Sequence, residues 1–176
     1  VVRTVSQVYQ PVRHQRGEAG LDQLVAKNVA SGRLRFTDDI AEAVAASPVI
    51  FIAVPTPPNE DGSADLKHVL AAAEAIANNM AERKIIVNKS TVPVGTGRKV
   101  KEAIRSILGG RGLTLEFDVV SNPEFLREGA AIRDFMHPDR ILIGGDSPES
   151  CETVRDIYNG LSLIKTPFIF TSLETA

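Results

Sequence analysis

A chain of 176 residues with 43% apolar and 24% charged side chains has enough material for one domain with a buried core, in the proportions of an ordinary globular protein. A formal net charge of −2 and the absence of tryptophan provide neither the basic footprint nor the stacking surface of a nucleic-acid binder. No apolar run reaches membrane-span length, three scattered histidines show no metal-ligand spacing, and a single cysteine excludes an internal disulfide framework, which suits a reducing, cytoplasmic setting.

Residues 1–17, VVRTVSQVYQPVRHQRG, carry Arg and His, no acid and no clear period. They read as an uncertain or foreign N-terminal segment, and the domain is taken as 18–176. Leu21, Leu24, Val25 and Val29 then predict a short helix closed near Gly32. LRFT (Leu34 to Thr37) is expected to be a strand, followed by an Ala-rich helix from about Asp38 to Ala46. VIFIAV (Val49 to Val54) is apolar throughout, as befits a strand covered on both faces. After a turn at NEDGS, the stripe Leu66, Val69, Leu70, Ala73, Ile76 and Met80 predicts a helix.

The unit repeats. KIIV (Lys84 to Val87) is a strand; Val100, Ile104, Ile107 and Leu108 mark a helix that Gly109 and Gly110 should stop. FDVV (Phe117 to Val120) is a strand leading through SNPEFLREG to a short helix, and RILIGG (Arg140 to Gly145) is another strand. Val154, Ile157, Tyr158 and Leu161 mark a helix, and FIFT (Phe168 to Thr171) a last strand. Such alternation implies parallel pairing with right-handed crossovers: an α/β, doubly wound, mostly parallel sheet.

The unusual residues all follow strands. PTPP (Pro55 to Pro58) follows VIFIAV, NKSTVPVGTG (Asn88 to Gly97) follows KIIV, and SNPEFLREG (Ser121 to Gly129) follows FDVV. Parallel strands bring such blocks to one edge, where open α/β sheets bind ligands. Prolines stiffen these loops, and Thr56, Ser90 and Thr91 offer hydroxyls, though ordinary turn chemistry explains the same residues. Thr96 could cap the helix that follows it. Glu124 and Glu128, four residues apart, would share a face if their segment is helical; acids favoured at a helix N-terminus are the alternative.

FIAVPTPPNEDGSADLKHV, VNKSTVPVGTG and VVSNPEFLREGAAIRDFMHPDRILIGG together resemble the nucleotide-sugar dehydrogenases, the UDP-glucose/GDP-mannose dehydrogenase family, from about Glu18 to the C-terminus. The resemblance implies two NAD-dependent oxidations of a sugar C6 alcohol to a carboxylate, with UDP-glucose the expected substrate. It implies that Val54, Pro55, Thr56 and Pro57 line the NAD site and that Ser90, Thr91 and Val92 approach the nicotinamide. Thr91 would help hold a catalytic water. Glu124 would act as general acid/base or orient that water, alongside nucleotide-sugar contacts from Phe125, Leu126, Arg127 and Glu128. Glu128 would also touch the nicotinamide. Family enzymes usually form homodimers or higher homo-oligomers.

The sequence also departs from the family. The opening strand and its Gly-x-Gly-x-x-Gly turn are not found, so the expected fold is a Rossmann-like domain lacking its first strand and glycine-rich turn. The family's catalytic lysine and cysteine would lie past Ala176. Cys151, in SPESCETV, has the wrong surroundings for that nucleophile and reads as a small apolar filler. His68 and His137 are expected on a helix surface and a loop, and Arg140 is expected to pair with an acid. A hydroxyacid-type dehydrogenase and a non-catalytic nucleotide-sugar-binding or interaction module are the competing readings.

Overall fold

The computed structural model describes residues 20–127, 129–161 and 166–176. The residues 1–17 discussed above therefore lie outside the described part. Five strands lie side by side in chain order: β1 (Val49–Ile52), β2 (Lys84–Asn88), β3 (Phe117–Ser121), β4 (Ile141–Gly145) and β5 (Phe168–Thr171). The helices are α1 (Leu21–Ala30), α2 (Ile40–Ala46), α3 (Lys67–Asn79), α4 (Thr96–Gly110), α5 (Ala131–Met136) and α6 (Pro148–Tyr158).

Strand β2 is buried at every position because it has neighbours on both sides and helices above and below. Alternation sends its side chains to the two faces in turn. On one face Ile86 joins Ile52 and Val119 beneath α2, α3 and α4, whose Val44, Val69, Ala73, Val100 and Ile104 are essentially inaccessible. On the other, Val87, Val120 and Ile143 meet Cys151, Val154 and Tyr158 of α6. Helices thus cover both faces, as a doubly wound fold requires. Each fully buried aliphatic chain contributes roughly 1.5–3 kcal/mol relative to exposure.

The sheet is mostly parallel, as expected, and four details go beyond or against expectation. First, one junction is reversed: β1, β2 and β3 are parallel, but β4 runs antiparallel to β3, and β5 follows β4 in parallel. The β3–β4 connection carries only α5, which buries no side chain and so has no face to lay along the sheet as a crossover helix must. Second, LRFT is not a strand. Its neighbours' caps consume it: the Leu34 N–H bonds back to Asn28 O of α1 at 3.1 Å, and the Thr37 hydroxyl accepts from Asp39 N–H at 3.1 Å before α2. Third, β1 ends at Ile52 and is the edge strand of the described sheet, so Phe51 is exposed rather than covered.

Fourth, the ends of α4 are set by other residues than expected. Gly109 and Gly110 stay inside the helix; the stop is Gly112, whose φ of 68° lets Leu113 N–H return to Leu108 O at 2.9 Å. At the start, Gly95 rather than Thr96 is the cap residue, and the buried Thr96 hydroxyl donates to Pro93 O at 2.7 Å. The first turn of α4 is roofed by Leu173 from the segment after β5. A Cβ on Gly97 would stand 2.8 Å from Leu173 Cγ, so this contact depends on glycine.

Candidate functional site

The loops leaving β1 and β2 are fastened to each other by short side chains. Ile52 O accepts from both Lys89 N–H (2.9 Å) and Ser90 N–H (3.2 Å). The Ser90 hydroxyl accepts from Val54 N–H at 2.9 Å and donates to Val54 O at 2.8 Å. The Thr56 hydroxyl donates to Thr91 O at 2.9 Å. The loop leaving β3 joins them through its backbone, where Asn122 N–H donates to Asn88 O at 2.9 Å. Three distant sequence blocks thus meet at the carboxyl rim of the parallel strands. Val54 and Val92 pack down on the apolar core, while Pro55, Pro57, Thr91 and Val94 stay exposed above them.

Beside this rim lies a cleft of about 420 Å³, lined by Lys89, Asn122, the segment Glu124 to Arg127 and the approach to β4. Segment 122–127 is not helical, so the shared helical face expected for Glu124 and Glu128 does not form. Instead the Glu124 carboxylate accepts the Leu126 N–H at 2.8 Å, closing a local turn after Pro123. Glu128 lies outside the described residues. Arg127 is spent on Asp134: Nη2 to Oδ1 at 2.7 Å, Nε to Oδ2 at 2.9 Å, and the backbone N–H to Oδ2 at 3.0 Å. These bonds hold the Asp134 carboxyl down at about 2. Arg140, expected to pair with an acid, instead lies over the Phe125 ring with its guanidinium carbon 4.8 Å from the centroid.

The expected site residues therefore separate into two groups. Val54, Thr56, Ser90 and Thr91 form one hydrogen-bonded patch, and Glu124, Phe125, Leu126 and Arg127 line the cleft next to it. Thr56 and Thr91 are not among the residues lining that cleft.

Sequence reasoning missed what the cleft is built on. Asn122, 1% exposed, donates from Nδ2 to Leu142 O at 2.8 Å, while its Oδ1 accepts from the Tyr158 hydroxyl and, at 3.4 Å, from Lys89 Nζ. Burial pushes the Lys89 ammonium down to about 8, opposed in part by the negative charge of Glu124. The signal was present in strand parity. Lys89 continues the alternation of Ile85 and Val87, and Asn122 that of Val120, so both point to the α6 side.

Cys151 is 5% exposed, and a Cβ on Gly145 would stand 2.9 Å from its Sγ, so it is a packing residue. Burial pushes its thiol up, away from the thiolate. His68 is exposed on α3 and His137 at the end of α5. Among the described residues no cluster of His, Cys, Asp and Glu could hold a metal, and no helix is long and apolar enough to cross a membrane.

The family model of the UDP-glucose/GDP-mannose dehydrogenase family, NAD binding domain, matches residues 5–162. The chain belongs to this family. It is 54% identical over 162 residues to the UDP-glucose 6-dehydrogenase of Rhizobium meliloti, covering 90% of this chain and 36% of that protein. With the UDP-glucose 6-dehydrogenase TuaD of Bacillus subtilis it shares 47% identity, over 90% of this chain and 33% of the relative. Among solved structures, it superposes with a TM-score of 0.81 on a UDP-glucose dehydrogenase from Pyrobaculum islandicum (41% identity, 90% of this chain, 36% of the other). A GDP-mannose dehydrogenase from Pseudomonas aeruginosa, solved as a ternary complex, also gives 0.81, at 33% identity over 96% of this chain and 38% of that one. The chain spans about a third of the length of the curated relatives it matches.

NAD is the cofactor of the matched family domain. The rim's chemistry is compatible with the ring end of such a dinucleotide: Pro55, Pro57 and Val94 are each exposed on its loops, Val94 by 81%, offering stiff apolar surface to a flat ring. The glycine turn that would cradle a pyrophosphate is not among the described residues.

Proposed function

We propose that this chain is the cofactor-binding part of an NAD-dependent UDP-glucose 6-dehydrogenase, which takes the sugar C6 alcohol to a carboxylate in two oxidations. The observation that carries the reading is the joining of three family motifs at one rim, with Glu124 in the adjoining cleft. NAD, when bound, supplies the hydride acceptor for each oxidation. The chain's own residues then have separable tasks. Val54, Pro55, Thr56 and Pro57, with Ser90 and Val92, form the wall against which the cofactor rests. Thr91, an exposed residue of the rim, helps place a water. Glu124 takes the proton that an alcohol must lose as its hydride leaves, or orients the water for the later hydrolysis. Phe125, Leu126 and Arg127 contact the nucleotide sugar, largely through backbone, since the Arg127 side chain is held by Asp134. Glu128 contacts sugar and nicotinamide.

The two oxidations require the lysine and cysteine of the complete enzyme, which works in the cytoplasm as a homodimer or higher homo-oligomer. The 176-residue chain mixed with NAD and UDP-glucose is expected to yield no NADH. In the complete enzyme, Glu124→Gln lowers turnover on UDP-glucose by at least about 100-fold. Its NAD affinity, read by calorimetry, stays within about threefold of wild type. Near-normal turnover would remove Glu124 from the mechanism.

A further inference from the structure

Lys89 has no task in the chemistry proposed above, yet it lines the cleft. It follows β2 directly on the α6 side of the sheet, and its ammonium lies 3.4 Å from Asn122 Oδ1 and 3.3 Å from the Tyr158 hydroxyl. The Tyr158 ring centroid is 6.0 Å away. One side chain thus touches the loop after β3 and the end of α6 from the end of β2. The anchors cannot turn away, because Tyr158 donates to Asn122 Oδ1 and Asn122 Nδ2 is fixed on Leu142 O.

An ammonium partly removed from water needs negative charge nearby. Among the described residues, the other charged groups lining the cleft hold one another or sit at its exposed edge. Arg127 and Asp134 hold each other, and Asp139 acts on Arg127. Arg140 lies on Phe125, and His137 is exposed. Among the described residues, Glu124 is the acid whose charge acts on Lys89, although no ion pair within 4 Å joins them. That leaves a cation and a carboxylate held across the cleft by a hydrogen-bonded frame rather than by direct contact.

We propose that Lys89 is a positioning residue: fastened to Asn122 and Tyr158, its ammonium orders the loop that carries Glu124 and presents a fixed positive charge to that carboxylate. The importance of this for turnover rests on the reading of Glu124 given above; the pairing itself does not. Lys89 acts through Glu124 and needs no contact with substrate. An arginine in its place keeps the charge and most of the tether, whereas a methionine keeps only the stem.

The test uses the 176-residue chain labelled with 13C and 15N, following the Lys89 Cε resonance, assigned with Lys89→Arg. The wild-type midpoint is expected near about 8. Glu124→Gln should lower it by roughly half a pH unit or more, and Asp139→Asn should leave it within about 0.2. In parallel, amide exchange at residues 124–127 should quicken about tenfold in Lys89→Met and return most of the way in Lys89→Arg. A lysine that merely fills space would show neither the Glu124 dependence nor the arginine rescue. A midpoint unmoved by Glu124→Gln, or wild-type exchange in Lys89→Met, overturns the proposal. Neither readout needs turnover, so its failure and the failure of the dehydrogenase reading are told apart.

Discussion

The two faces of the sheet both turn polar at the carboxyl rim, but they do so differently. On the α4 face the rim residues are short and closed over. The Ser121 hydroxyl donates to Leu173 O at 3.4 Å, the Thr96 hydroxyl donates to Pro93 O, and Leu173 seals the first turn of α4. On the α6 face Lys89, Asn122 and Tyr158 bond to one another through side chains, and although Asn122 and Tyr158 are buried, all three line the cleft. The first arrangement makes a rigid wall that buries its polar groups against backbone. The second keeps charge close to the surface, where a ligand can meet it. A site arises where apolar packing gives way to a hydrogen-bonded network beside a cleft.

If that contrast is correct, the largest stability loss belongs to the closed face. Ile104, fully buried beneath the sheet, should cost about 2–5 kcal/mol on substitution by Ala, read by urea denaturation of the chain. Asn122→Ala comes next. It removes the amide that Leu142 O accepts from and the oxygen that the Tyr158 hydroxyl and Lys89 donate to, leaving Lys89 its contact with Tyr158, and should cost about 1–3 kcal/mol in the same assay. A loss for Asn122→Ala well above that of Ile104→Ala would invert the comparison, because the open face would then be the main structural support.

A smaller effect concerns acid. Asp134 falls from its ordinary 3.8 to about 2 because Arg127 bonds it. The folded state therefore binds its proton later than the unfolded chain does. The contribution is complete above the unfolded value and is lost as pH falls through the folded one. Wild type should lose part of its urea resistance between pH 4 and pH 2, and Arg127→Gln should lose less over that window. Equal slopes for the two proteins would show that the pair contributes nothing to stability and only shapes the loop.

Much of this architecture was readable from periodicity. The stripe Val69, Ala73, Ile76 lies under the sheet as its spacing demands, and the uninterrupted apolar run of β2 is buried at each position. The reversal at β4 was not readable, because strand direction depends on the path of a connection whose short helix buries no residue fully. LRFT has the composition of a strand, but the Leu34 N–H that pairing would use donates to Asn28 O of α1, and the Thr37 hydroxyl accepts from Asp39 N–H at the start of α2. In the site, the motifs told which loops meet. They misled on Glu124, where the turn closed by Leu126 N–H replaced the helical face that spacing suggested. Lys89, Asn122 and Tyr158 were overlooked because they are far apart in sequence, although strand parity would have placed the first two on the α6 face.

The central claim is that dinucleotide and sugar meet at the rim where β1, β2 and β3 end. Backbone amide chemical-shift mapping of the chain with millimolar NAD tests it most directly. The account predicts the largest changes at Val54, Thr56, Ser90, Thr91 and Val92, with smaller ones at Glu124 to Arg127. Changes centred on the opposite edge, around Arg83, Asp118 and Ser150, or no change at all, would contradict it.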